Sequence, residues 1–208
     1  MSLILAGLVV ASTSGALMIG RWLARRRAPA EPTPERAPEP QKKEPPKETL
    51  DGFVCQLGDV LMRLTGEEAW LAGGLVLSED MPVAVLYVAP EAKQDCVIYV
   101  RPKPKEALYW MEPLDPGAIL VGGEPPSSVE HGGVRFDRVR RLPLRPKRIG
   151  VGAPDVGDAV VVAEYNSAGA ERLVVMKATT GVTKAYRGME LEPSSFEVIA
   201  SGKSTLSE

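Results

Sequence analysis

Four sets of residues have the types that chemistry needs, and each can be held against the spacing that chemistry requires. Ser201-Gly202-Lys203-Ser204-Thr205 has the end of a phosphate-binding loop. The complete loop needs a glycine at 197 and a following helix whose backbone N–H groups converge on the anion. Position 197 is Glu197, so residues 201–208 read as a tail. Gly150-Val151-Gly152-Ala153-Pro154-Asp155 has two glycines of a dinucleotide fingerprint, but Pro154 stands where the helix should begin, and the run reads as a turn. His131 is the single histidine, and with Cys55 and Cys96 it cannot fill the usual four-ligand zinc site. No metal and no cofactor is expected. Asp59, Asp158 and Glu164 are generic carboxylates that an enzyme of unrecognised type could use with His131 in a pocket.

The most unusual stretch runs from Arg135 to Arg148. It holds Arg135, Arg138, Arg140, Arg141, Arg145, Lys147 and Arg148 against one acid, Asp137. Turned outward, such a row suits an anionic surface, with lipid headgroups worth ~1 kcal/mol per basic side chain close to the membrane. Nucleic acid fits less well, because aromatic stacking groups are scarce at 5% of the chain. The competing reading is a ladder of arginines paired with acids on neighbouring strands, such as Glu67, Glu68, Glu190 and Glu192.

Charge placement is uneven. The whole chain carries a formal net charge of −2, with 25 basic and 27 acidic residues. Setting aside Arg21, Arg25, Arg26 and Arg27 leaves 21 basic against the same 27 acidic, a net of −6 for the remainder. Those four arginines flank Leu3–Ile19, a run without charge (LILAGLVVASTSGALMI). With Gly20–Ala24 it is long enough for a spanning helix, Arg21 snorkelling and Trp22 anchoring at the interface. A cleaved signal peptide would place its positive charge ahead of the apolar run, where only Met1-Ser2 stands. Basic residues after the run hold that flank in the cytoplasm. The expectation is a single-pass anchor over 1–27 in a bacterial inner membrane, N-terminus out and the body cytoplasmic. Gly7, Ala11 and Gly15 share one helix face and would let two such helices pack closely, a route to a homo-oligomer.

Residues 28–49 are rich in proline and charge, which break helix and sheet and keep chain solvated. They read as a disordered linker reaching ~60 Å at ~3.1 Å per residue. Pro29-x-x-Pro32 also permits a proline-recognition motif.

From Leu50 onward, short apolar runs alternate with turn residues. The expected strands are Trp70–Leu77, Val83–Val88, Cys96–Arg101, Ala107–Met111, Val134–Val139, Ala159–Tyr165, Arg172–Ala178, Val182–Arg187 and Phe196–Ala200. Gly73-Gly74, Gly122-Gly123, His131-Gly132-Gly133, Asn166–Gly169 and Thr179–Gly181 are the expected turns. Leu50, Phe53, Leu57, Leu61 and Leu64 have helix-like spacing, which Gly52 and Gly58 oppose. The fold class is mainly β over 50–200: an antiparallel sandwich or partly open barrel. Gly58-Asp59 and Gly157-Asp158 both precede apolar runs, a faint echo of two related halves over about 50–125 and 130–200. Cys55 and Cys96 are expected as free, mostly buried thiols, since the cytoplasm is reducing.

Gly58-Asp59-Val60-Leu61, Trp70-Leu71-Ala72-Gly73, Leu86-Tyr87-Val88, Leu108-Tyr109-Trp110 and Ala185-Tyr186-Arg187-Gly188-Met189-Glu190-Leu191 give residues 57–200 a resemblance to the bacterial family called domain of unknown function 4178. The resemblance implies a β-rich module of unknown activity and supplies no catalytic residue. The leading expectation is a membrane-tethered, non-enzymatic binding or scaffold module, part of a membrane assembly or an envelope-stress system. Its partners would be the bilayer, anionic headgroups or another membrane protein. The alternative is the enzyme built on Asp/Glu and His131.

Overall fold

The computed structural model describes residues 50–90, 92, 95–119 and 121–201. The anchor over 1–27, with Gly7, Ala11, Gly15, Arg21, Trp22, Arg25, Arg26 and Arg27, lies outside the described residues, as do the linker over 28–49 and residues 202–208. Among the described residues no helix is long and apolar enough to cross a membrane.

Period-two alternation of apolar residues makes strands wherever one face can be buried. Among the described residues twelve form: β1 (Val60–Arg63), β2 (Glu68–Trp70), β3 (Gly73–Ser78), β4 (Pro82–Ala89), β5 (Cys96–Arg101), β6 (Ala107–Pro113), β7 (Ser128–His131), β8 (Val134–Gly150), β9 (Val160–Ser167), β10 (Glu171–Ala178), β11 (Thr183–Glu190) and β12 (Phe196–Ile199). Nine of them lie in the order β3-β4-β5-β6-β11-β10-β9-β8-β7, and β3 also pairs with β8. That last pairing closes eight strands into an antiparallel barrel, with β7 as an extra strand. Of the two architectures expected, the sandwich is therefore not the one found, and the barrel is closed rather than partly open. The physical reason is the length of β8, which pairs with β9 over Phe136–Leu144 and with β3 over Arg145–Gly150.

The first half of the domain supplies β3 to β6 and the second half β8 to β11, each a four-stranded meander. They join first strand to first (β3–β8) and last to last (β6–β11). The two Gly-Asp motifs do not mark equivalent places. Gly58-Asp59 leads into β1 of a separate three-stranded sheet, β12-β1-β2, and Gly157-Asp158 leads into β9 of the barrel. At the β3–β8 seam Gly73 faces Gly150, and a Cβ on either would strike the backbone of the other strand's end. Gly73 and Gly74, expected as a turn, are buried strand residues: the seam leaves no room for a Cβ at Gly73, and the backbone of Leu86 on β4 leaves none at Gly74.

The barrel interior is filled by Leu75, Leu77, Leu86, Tyr99, Tyr109, Met111, Val162, Val174, Met176 and Tyr186. Ala153 and Val156 join them from the β8–β9 loop and stopper one end. Two covers lie on the outside. The 50–58 segment and the three-stranded sheet pack Phe53, Cys55, Leu61 and Leu71 on the outer face of β3–β6. The β6–β7 connection packs Ile119 and Val121 on Phe136, Tyr165, Leu173 and Val175. Each cover is pinned by a buried tyrosine: Tyr87 donates to the Cys55 carbonyl and Tyr165 to that of Pro126, both at 3.0 Å.

Candidate functional site

The basic stretch is one strand with a fault in it. Arg138 faces Tyr165 and Arg140 faces Glu164, so Val139 is a bulge with no partner on β9. A bulge reverses which side successive residues address. Before it, Phe136 and Arg138 point outward under the second cover, where Arg138 donates to the Pro125 carbonyl. After it, Arg140, Leu142 and Leu144 point into the barrel, and Arg141, Arg145 and Lys147 point out.

Inside, Arg140 meets the most buried charge in the domain. Glu164 is 3% exposed. Its carboxylate accepts from the Tyr99 hydroxyl at 2.8 Å, from Arg101 at 3.2 Å and from Arg140 at 3.3 Å. Burial first, and then the Glu164 charge, holds the Tyr99 hydroxyl well above the ordinary tyrosine range, so it stays a donor. Tyr99 and Tyr109 stack at 5.8 Å, and the Arg101 guanidinium sits over the Tyr109 ring. The same alternation that points Val97 and Tyr99 inward carries Arg101 inward after them. Arg172 and Glu190 pair at 3.2 Å on the neighbouring strands. One barrel end is therefore apolar and stoppered, and the other is a charged cluster.

Outside, Arg141 pairs with Glu124 of the second cover. Arg145 and Lys147 are exposed on the β3–β8 seam, Lys147 beside Val76 at the margin of the cluster beneath the first cover. Glu79 and Asp80 follow Ser78, the register partner of Arg145, in the β3–β4 hairpin. Arg135 pairs with Asp137, and Arg148 donates to the Ala153 carbonyl. Among the described residues, Arg135, Arg140 and Arg141 pair with Asp137, Glu164 and Glu124, whereas Glu190 pairs with Arg172 and Glu67 with Arg63.

Across the barrel from that seam, a cleft of about 1050 Å³ opens between the two covers. Its floor is Trp110 and Glu112 of β6 with Arg187 and Met189 of β11. Its walls include the β1–β2 hairpin (Thr65–Glu68) on one side and His131 with Glu171 on the other. His131 reaches it because Gly132 (φ +59) and Gly133 (φ +73) turn β7 tightly into β8, a two-residue hairpin. Arg63 pairs with Glu67 at 3.0 Å and lies over the Trp110 ring. Arg187 pairs with Glu171 at 2.6 Å and lies over Phe136. Glu68, Asp95 and Glu112 line the cleft exposed, with no ion pair to any described residue. Burial pushes the thiol of Cys96, also on the lining, up to about 12, so it stays protonated at neutral pH.

The carboxylates proposed to act with His131 are dispersed; none of them lines its cleft. Glu164 is inside the barrel. Asp158 is exposed in the β8–β9 loop. Asp59 is a buried clamp that accepts from the Gln56 amide at 2.7 Å and the Ser201 amide at 2.9 Å, tying β1 to the end of β12. Among the described residues no three His, Cys, Asp or Glu side chains are grouped to hold a metal ion. The cleft draws on segments from Arg63 to Met189, so no local pattern announces it. Comparison with protein-family models, curated proteins and solved structures finds no match for this chain.

Proposed function

We propose that this chain is a membrane-tethered, non-enzymatic binding or scaffold module on the cytoplasmic side of a bacterial inner membrane, within a membrane assembly or an envelope-stress system. Its contact for anionic headgroups is the outer row of β8, Arg141, Arg145 and Lys147. The observation that supports this reading is the bulge at Val139, which turns Arg140 into the barrel and Arg141, Arg145 and Lys147 onto the outer face, the last two exposed. Kinship with the family called domain of unknown function 4178 belongs to the same proposal.

The test uses residues 50–208 with lipid vesicles. Binding to vesicles of anionic lipid should be measurable, absent with neutral lipid, and lost as salt rises, because exposed charges are screened within ~8–10 Å. Arg145→Gln with Lys147→Gln should remove ~2 kcal/mol, a weakening of roughly thirty-fold. Salt-insensitive binding, or binding unchanged in that variant, would refute the row. The second reading, an enzyme, is favoured by one observation: His131 stands in the concave cleft. Small-molecule fragments whose NMR shifts gather on His131 and Glu112 would support it; shifts scattered over the surface would end it.

A further inference from the structure

We infer that the cleft over β6 and β11 receives the outer β8 row of a second copy of this chain, head to tail. The inference rests on where the row and the cleft lie, not on the lipid reading. Around the barrel, four strands separate the β3–β8 seam from the β6–β11 seam in either direction, so row and cleft occupy opposite sides. Among the described residues that line it, the cleft carries five carboxylates, Glu67, Glu68, Asp95, Glu112 and Glu171, against Arg63 and Arg187, an excess of three negative charges. Both arginines are already held by a carboxylate and a ring, so the excess belongs to Glu68, Asp95 and Glu112. Glu112 lies on the floor and Glu68 on the β1–β2 hairpin wall, and among the described residues no three such side chains are grouped to hold a metal ion. A strand that carries more than one cation can reach acids on both floor and wall. The outer row carries Arg141, already paired with Glu124, and then the exposed Arg145 and Lys147, on alternate positions of one strand interrupted by Pro143. Trp110 and Met189 give the floor apolar surface on which the aliphatic stems of arginine and lysine can lie.

A contact between two different faces of the same chain is heterologous, so copies add head to tail, as a ring where the rotation closes and as an open row where it does not. Under the anchorage proposed above, on which this step alone rests, copies share one membrane and their effective concentration rises, which lets a modest interface act. A row taken up by a neighbouring copy is no longer open to headgroups, so anionic lipid and self-association exclude one another at this surface.

The experiment uses the full chain in vesicles of neutral lipid, which removes the lipid contact as a factor. ¹⁴N- and ¹⁵N-labelled copies are mixed and treated with a carbodiimide, which joins an amine to a carboxylate only where the two touch. Mixed-isotope links from Lys147 to Glu68, Asp95 or Glu112 are expected. A cleft variant (Glu68→Gln, Asp95→Asn, Glu112→Gln), in which Lys147 is intact, lacks these acceptors and should form no mixed-isotope link by itself. A row variant (Arg145→Gln, Lys147→Gln) should form none. An equimolar mixture of ¹⁵N cleft variant and ¹⁴N row variant should recover links in one sense only, ¹⁵N Lys147 to ¹⁴N carboxylate. Absence of links between wild-type copies, links at other residues, or no recovery in the mixture overturns the inference. Lipid binding by residues 50–208 is a separate measurement, so either proposal can fail alone.

Discussion

Arg140 and Arg145 stand on the same strand, and the chain uses them for opposite ends. Arg140 turns into the barrel, where it and Arg101 share the buried carboxylate of Glu164. Arg145 turns out onto the closing seam, exposed. A guanidinium inside is held because the carboxylate it serves would be costly to leave alone. A guanidinium outside contributes little to stability and is available to a partner. The residue type says nothing of this difference; the single extra residue at Val139 decides it. Substitutions on the two sides should therefore have unrelated consequences.

The largest effect should come from deleting Val139. A one-residue change of register sends every side chain on one part of the strand to the other face. Phe136, fully buried beneath the second cover, would lose its site, a cost of ~3–5 kcal/mol or more. Denaturant unfolding of residues 50–208 should show either that loss or no cooperative transition. An unchanged midpoint would mean that the bulge does not set the two faces. Next comes Glu164→Ala, which strands the Tyr99 hydroxyl and two guanidiniums. The expected loss is ~3–5 kcal/mol, read the same way, and a loss below ~1 kcal/mol would place water rather than protein around this carboxylate.

A smaller effect should appear in alkali. Burial raises the thiols of Cys55 and Cys96 from the ordinary 9.0 to about 12. The native state then keeps protons that the unfolded chain releases. This contribution is whole below pH 9 and is lost as pH rises through the window from 9 to about 12. By pH 10 the loss should be on the order of 1 kcal/mol per thiol, seen as a falling melting temperature. Replacing Arg145 and Lys147 should leave that slope as it was, because the thiols lie beneath the first cover. The smallest effect on stability is that of Arg145→Gln with Lys147→Gln itself, within ~0.5 kcal/mol by thermal unfolding. A larger destabilisation would erase the distinction between the two sides.

Where burial is one-sided and local, the strands were legible. β5 matches its expected span of Cys96–Arg101, and β4, β10 and β11 run only a few residues beyond theirs. The expected strand over Trp70–Leu77 is instead two, broken at Leu71-Ala72 where the chain leaves the small sheet for the barrel. The second half of β8 was missed because Leu142-Pro143-Leu144-Arg145-Pro146 has prolines where a ladder needs N–H groups. Those prolines are tolerated because this part of β8 is paired along one edge at a time, first to β9 and then to β3. β1 and β7 are four residues each and carry half-buried charged neighbours, too short for alternation to register. Arg101 could have been found as a cation at an inward position of an otherwise apolar strand. The cleft could not, since its walls meet only after the barrel has closed.

That closure also sets the order in which the molecule can be made. Within each meander, neighbouring strands follow one another along the chain and can pair as soon as a short turn forms. The two seams cannot: Gly73 must find Gly150, and Trp110 must find Met189. Contacts so distant in sequence pay their loop entropy before they return anything, and barrels dominated by them fold slowly. Until both seams zip, β3, β6, β8 and β11 each present an unsatisfied backbone edge of the kind that recruits strands from other chains. The glycines facing one another at the end of the β3–β8 seam, with no room for a Cβ, let that late join close flush and bring the period of exposure to an end.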